Sequence, residues 1–262
     1  MQFYLPSDAK SHKFKDGFLK VAQRLKAADV KVGVVDCDRY EETCAAQGFR
    51  SYPAFKFYFG GKSKPFDETS VSSKALLQFV HDSIPNNIVN LRLTGQMNEF
   101  FQSKKISVVY VNPKYETPTW WRAMGYRYQD KAALGEIRGP NDKLHQYLHI
   151  SKAPSINVYC GDKDASETFA GDVNDTNAIF RFMDKLSPNK CKDLVRKAQQ
   201  MQSNRKQAAQ KAKRLSESEL QKKRVSELRD IVTELGIPLA GLLEKVDFVR
   251  AILGAQKVSV EL

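Results

Sequence analysis

Cysteine is scarce in this chain. Four cysteines in 262 residues are too few for a scaffold built on disulfides, and no two are spaced Cys-x-x-Cys. Long apolar runs are absent as well. No stretch approaches the roughly 18 continuous apolar residues of a membrane-crossing helix. The start, Met1-Gln2-Phe3-Tyr4-Leu5-Pro6, lacks a basic segment followed by an apolar one, so it is not a signal peptide. Either the protein is not secreted or residues precede Met1. Negative charge is in deficit: 42 Lys+Arg face 30 Asp+Glu, a formal net charge of +12. With 42% hydrophobic and 27% charged residues, the composition is that of a globular protein and excludes a disordered or collagenous one. The length suits two domains with a small third.

The excess charge sits in one place. Lys190 to Arg224 holds twelve Lys/Arg and three Asp/Glu, which is nine of the twelve net charges. The stretch Cys191–Lys223 is rich in Lys, Gln, Ala and Arg, has no Gly or Pro, and carries few apolar residues. These are strong helix formers, so it reads as one long, mostly solvated basic helix. Two roles are open: a solvated linker, or a contact with nucleic acid or another polyanion. No aromatic residue lies within it, so the stacking platform of single-strand binders is lacking.

Residues 1 to about 86 alternate strand and helix patterns. Phe3-Tyr4-Leu5 is a short strand, and Pro6-Ser7-Asp8 caps a helix to about Lys26 with Phe14, Phe18, Val21 and Leu25 at helical spacing. Val30 to Val35 reads as a buried strand, Arg39 to Gln47 as a short helix, and Tyr52 to Phe59 as a strand ending at Gly60-Gly61. A further strand, Ser63 to Glu68, and an amphipathic helix, Ser72 to Ser83, complete a βαβαββα order.

That order and its motifs resemble the thioredoxin fold as used in the protein disulfide isomerase family. The resemblance rests on Val35-Asp36-Cys37-Asp38, on Cys44, and on Gly48-Phe49-Arg50-Ser51-Tyr52-Pro53-Ala54. It implies a cis-proline at Pro53 facing bound polypeptide; cis X–Pro bonds are uncommon enough to be deliberate. The family's active-site run aligns without a gap on Phe3 through Ala22. Its tryptophan position is Ser7, and its two cysteine positions are Asp8 and Ser11. Thiol–disulfide exchange needs a thiolate and a resolving thiol, so the resemblance implies no redox catalysis at this site. The chain is accordingly expected not to be an enzyme, with no catalytic residue, metal ligand or cofactor. His12 is read as a surface histidine. Cys37 and Cys44 are either two reduced buried thiols or, as the resemblance implies, a structural disulfide, which requires an oxidising compartment. The resemblance also implies a strand and helix before Phe3, so the sequence is expected to be part of a longer protein.

Residues 87 to about 187 repeat the pattern, an internal repeat of about 100 residues. Strands are expected at Ile88–Leu93, Ile106–Val111, Ala132–Arg138 and Ala153–Tyr159, with an edge strand ending near Gly171 and helices between. This segment resembles the b-type thioredoxin domain of the same family. Asn112 to Pro118 fills the active-site loop position, and Pro154 is the implied second cis-proline. Trp120 and Trp121 either line a groove or pack in the core; neighbours on a helix point about 100° apart. Cys160 and Cys191 either pair or are free thiols. Asn174-Asp175-Thr176 is a candidate glycosylation sequon.

The last segment holds an amphipathic helix, Ser226–Leu235, stopped by Gly236, and a second helix, Glu244–Leu253. The run from Val225 to Ile252 resembles a SAP-type helix–turn–helix, above all the C-terminal module of the mesencephalic astrocyte-derived neurotrophic factor. Pro238-Leu239-Ala240-Gly241 stands where that module has a Cys-x-x-Cys. Glu261-Leu262 loosely resembles the end of a reticulum retrieval signal.

The expected architecture is α/β: thioredoxin-like domains at 1–86 and 87–187, a basic helical linker at 188–224, and a SAP-like module at 225–262. The expected role is a non-catalytic chaperone or co-chaperone of the endoplasmic reticulum lumen that binds unfolded or client polypeptides. Its basic segment would give only weak, non-specific polyanion contact. The alternative is a structural subunit of a large assembly such as a mitochondrial ribosome, and a third reading is a nuclear DNA-binding SAP protein.

Overall fold

The computed structural model describes residues 1–67, 71–213 and 215–258. The chain divides into two compact units, 1–191 and 192–262. The first unit holds two α/β domains. In the first, β1 (Gln2–Tyr4), α1 (Ala9–Lys26), β2 (Val34–Asp36), α2 (Glu41–Ala45), β3 (Ala54–Phe59), β4 (Lys62–Pro65) and α3 (Ser73–Ser83) follow one another. The sheet order is β2-β1-β3-β4, with β1 parallel to β2 and antiparallel to β3. Helix α1 begins at Asp8, whose carboxylate accepts the Ser11 backbone N–H at 2.6 Å. It buries Phe18, Val21 and Leu25 against Phe55, Leu76, Val80 and Ile84. At roughly 1.5–3 kcal/mol per buried large side chain, this stripe is what fixes α1 against α3 and, through Phe55, against β3.

The second domain adds β5 (Ile88–Asn90) and α4 (Met97–Ser103), then repeats the series as β6 (Ser107–Asn112), α5 (Thr119–Arg127), β7 (Ala133–Arg138), α6 (Asp142–Tyr147), β8 (Ser155–Tyr159), β9 (Ser166–Thr168) and α7 (Thr176–Lys185). Its sheet order, β5-β7-β6-β8-β9, is that of the first sheet with one more strand, β5, beyond β7. Both domains have the thioredoxin-like fold. The Tyr52–Pro53 and Ala153–Pro154 peptide bonds are cis. The two domains pack together: Ala123 and Tyr126 of α5 join the core of the first domain, and Tyr126 meets Phe59 edge to face at 6.4 Å.

Two expectations about strands change. The buried strand at Val30–Val35 shrinks to Val34–Asp36, and Val34 is 56% exposed. The reason is position: β2 is the edge of a four-stranded sheet, whereas its counterpart β7 is covered by β5. The strand expected at Ser63–Glu68 is Lys62–Pro65, with the Phe66 N–H still bonding the Phe55 carbonyl at 3.0 Å; proline is tolerated here because β4 is the edge of the sheet, and Glu68 itself lies outside the described residues.

The basic segment is not one helix. Helix α8 (Pro188–Lys213) is followed by a separate α9 (Glu217–Lys222). Ser216 starts α9 with a reciprocal cap, its backbone N–H donating to the Glu219 carboxylate at 2.7 Å. In the second unit, α9, α10 (Val225–Glu234) and α11 (Lys245–Val258) enclose one core of Leu220, Leu228, Val232, Phe248, Val249 and Ile252. Leu220, inside the expected linker, is fully buried in that core. Gly236 follows α10 in the left-handed region, φ +71°, a conformation that glycine adopts without strain. Glu261-Leu262 lies outside the described residues. No helix among them is long and apolar enough to cross a membrane.

Candidate functional site

In each thioredoxin-like domain the topology brings one loop and one cis-proline together. Strand β1 runs antiparallel to β3, with Phe3 opposite Ala54. The loop leaving β1, Leu5 to Asp8, therefore lies at the same end of the sheet as Tyr52–Pro53 entering β3. Leu5 and Tyr52 pack on one cluster with Phe3, Cys37 and Cys44. Ser7 is exposed in this loop. Asp8 caps α1, and accepting the Ser11 backbone N–H holds its carboxyl below the usual carboxylate range. Ser11 is 5% exposed and its hydroxyl has no hydrogen-bond partner among the described residues. The end of a strand thus presents a carboxylate and a serine at a helix N-terminus, beside a cis-proline. Such a surface can hold an extended chain.

Cys37 and Cys44 form a disulfide, with Cα atoms 5.7 Å apart and both residues buried. Cys160 and Cys191 also form one, at 5.4 Å. The second bond ties the first turn of α8 to the end of β8. Lys190, which opens the basic segment, pairs with Glu167 at 2.7 Å. The start of that segment is therefore held on the second domain, not solvated throughout.

The second domain builds its loop differently. Glu136, in the middle of β7, is fully buried. It accepts hydrogen bonds from Asn112 Nδ2 at 2.7 Å, Thr117 Oγ1 at 2.6 Å and Arg138 Nε at 2.9 Å. The guanidinium of Arg138 also donates to Thr117 Oγ1. Asn112 bonds the Glu116 carbonyl and the Lys114 N–H as well. One buried carboxylate thus pins the whole loop between β6 and α5. The pairing Val111–Ser155 sets Pro154 beside Asn112, as in the first domain. Sequence reading missed this network, although a glutamate within the apolar run Ala133-Leu134-Gly135-Glu136-Ile137 was its visible sign. Trp121 is fully buried and Trp120 half-buried, both against Tyr110.

An open cleft of about 1010 Å³ lies between the two domains, lined by α1, α3 and this loop. Within it His81 Nδ1 is 3.1 Å from Thr119 Oγ1. Burial, then the positive charge of Arg122, lowers the His81 pKa from its ordinary value. His12 is exposed. Asn174 is also exposed, and its side-chain amide bonds Asp172 at 2.9 Å. Among the described residues no group of three or more metal-ligating side chains gathers.

No family model matches the chain. It is 24% identical over 195 residues to a protein of Dictyostelium discoideum named "Putative protein disulfide-isomerase", a match covering 71% of this chain and 47% of that one. The chain is similar to disulfide isomerase-like proteins. Over 100 residues it is 32% identical to the human DnaJ homolog subfamily C member 10, covering 38% of this chain and 12% of that one. Full-length ERdj5 overlays 70% of this chain and 28% of its own, with a TM-score of 0.43 at 19% identity. The zinc-bound form of human ERp44 overlays 71% and 54%, with a TM-score of 0.34 at 16% identity. The chain spans about half the length of the disulfide isomerase it matches and a small part of the DnaJ homologue.

These findings correct one expectation. The expectation that the chain is not an enzyme rests on Asp8 and Ser11 standing where the resemblance places a Cys-x-x-Cys. Two of the similar proteins are named a putative disulfide isomerase and a disulfide isomerase-like protein, and the chain carries two disulfides of its own, one of them, Cys37–Cys44, at Cys-x6-Cys spacing. The substitution removes thiols from one loop. It does not exclude enzymatic activity from the chain.

Proposed function

We propose that this chain works in the lumen of the endoplasmic reticulum as a disulfide isomerase-like co-chaperone that holds polypeptide clients on its first thioredoxin-like domain. The client surface is the Ser7–Asp8 turn, backed from below by the buried Ser11, together with Tyr52 and cis-Pro53, and Pro154 marks the related position in the second domain. The observation that carries the reading is the placement of the α1 N-terminus beside a cis-proline at one end of the sheet. Similarity to disulfide isomerases and to a DnaJ homologue supports it. Two disulfides suit an oxidising compartment. Within this reading the C-terminal helices serve as a SAP-like docking module and Asn174 as a glycan acceptor. The exposed cations of α8 contribute only weak, salt-dependent polyanion contact.

The test is suppression of aggregation of a chemically denatured protein, measured by light scattering, with the native chain and with Tyr52→Asp. The expected outcome is suppression by the native chain and at least a threefold loss in the variant, with unchanged circular dichroism. Equal suppression by both would remove the client surface from the cis-proline loop.

A further inference from the structure

The cleft between the two thioredoxin-like domains is cationic on every side. Lys20 and Arg24 come from α1, Lys74 from α3, Lys114 from the β6–α5 loop, Arg122 from α5 and Arg138 from β7. Glu116 is the one acidic residue among the described residues lining it. Arg138 is spent on the buried Glu136. The other five form no ion pair among the described residues. Lys20, Arg24, Lys74 and Lys114 are exposed, while Arg122 is half-buried and held in place through Nε to the Ile84 carbonyl at 2.7 Å. Like charges facing one another across a concave surface repel, and a cleft of one sign focuses its field on an opposite charge.

We infer that this cleft is a binding site for an extended acidic peptide segment, one rich in Asp and Glu. The rest of the lining decides between anions. Gln23, Gln78 and Asn86 offer amides that can pair with a peptide backbone, and Leu77 and Pro118 offer apolar contact. Among the described residues lining the cleft the only aromatic rings are Tyr115, 72% exposed, and the half-buried His81, which is too little for the successive base stacking of a single-stranded nucleic acid. The five cations besides Arg138 are spread over four elements instead of converging on one point, which suits carboxylates strung along a chain better than a single phosphate. None of Ser7, Asp8, Ser11 and Pro53 lines the cleft, so this site is independent of the client surface proposed above.

The experiment uses the full chain and a fluorescein-labelled twelve-residue Asp/Glu peptide, read by anisotropy at 50 and 200 mM salt. Two charge-matched variants are compared: Lys20→Glu/Arg24→Glu/Lys74→Glu in the cleft, and Lys197→Glu/Arg205→Glu/Lys206→Glu on α8. All six positions are exposed, and circular dichroism checks that both variants fold. The cleft variant is expected to weaken binding at least tenfold, the α8 variant less than twofold, and the peptide is expected to shift the NMR resonances of His81 and Thr119. The reverse order of effects assigns polyanion binding to the basic helix and overturns the proposal. So does tighter cleft-dependent binding of a single-stranded DNA of equal charge, or binding of inorganic phosphate that displaces the peptide at equimolar concentration. Failure here leaves the aggregation assay untouched, because that assay reads Tyr52.

Discussion

Replacing Arg138 by methionine isolates the buried carboxylate that organises the second domain. Methionine keeps much of the apolar stem and removes the charge. Glu136 is then left with no cation, in a site where its side chain has no exposure. Breaking a buried ion pair by deleting one partner costs about 3–5 kcal/mol, since the remaining charge stays desolvated. Two facts place this case at the low end. Arg138 is 25% exposed, so solvent already screens part of the attraction. Glu136 also keeps the hydrogen bonds from Asn112 and Thr117 at 2.7 and 2.6 Å. The expected loss is about 3 kcal/mol. Making the carboxylate neutral as well, Glu136→Gln/Arg138→Met, removes the stranded charge, and the double variant should be about 1–2 kcal/mol more stable than Arg138→Met alone. The chain has two tryptophans, Trp120 and Trp121, both on α5, so urea unfolding followed by tryptophan fluorescence reports this domain. An Arg138→Met loss below about 1 kcal/mol, or a double variant no better than the single, would refute the reasoning.

The two disulfides should differ in worth. Cys37–Cys44 spans a sequence separation of 7 and Cys160–Cys191 one of 31. The chain-entropy model then gives about 2.5 and about 3.7 kcal/mol. Cys160→Ala/Cys191→Ala should therefore shift denaturant unfolding of the first unit more than Cys37→Ala/Cys44→Ala, and equal shifts would count against the entropic account. Burial, then the charge of Arg122, holds the His81 pKa below the ordinary histidine value of about 6.5. The unfolded chain takes up that proton first as pH falls, so this contribution to stability is constant above about 6.5 and declines below it. Stability measured at pH 7.5 and 5.5 should drop less in His81→Gln than in the native chain; an identical drop would rule His81 out as the source.

Much of the architecture was legible because its signals are local. Continuous apolar runs such as Val108 to Val111, buried along their whole length, and helical stripes such as Phe18, Val21 and Leu25 need no long-range knowledge. The duplicated Tyr52-Pro53 and Ala153-Pro154 motifs marked the repeat. What failed depends on neighbours. Val30 to Val35 looks like a core strand, but burial comes from strands on both sides, and β2 has one only on the β1 side. The break between α8 and α9 was visible as Ser216-x-x-Glu219 and was overlooked because the segment lacks Gly and Pro. The cleft was not legible at all. Lys20, Arg24 and Lys74 look like ordinary solvated helix positions, and only the packing of two domains turns them toward Lys114 and Arg122.

The two loops at equivalent positions show how one fold is retuned. In the first domain the loop is closed locally: Asp8 caps α1 through a bond to Ser11, three residues on. That arrangement leaves the buried Ser11 hydroxyl without a hydrogen-bond partner among the described residues. In the second domain closure is global. A carboxylate from the adjacent strand, Glu136, reaches Asn112 before the loop and Thr117 at its end, and Arg138 neutralises it from two residues away. A cap can be lost with only local fraying, whereas loss of a strand-borne carboxylate unties both ends of the loop at once. Lys114, Thr119 and Arg122 stand on that second loop and the helix it leads into, facing the cleft. A rigid frame is what a cationic binding surface requires, because side chains ordered in advance lose less entropy when the ligand arrives. On the proposed reading, the first loop, held at one end, would admit clients of varied sequence, and the second, held at both, a ligand recognised by charge.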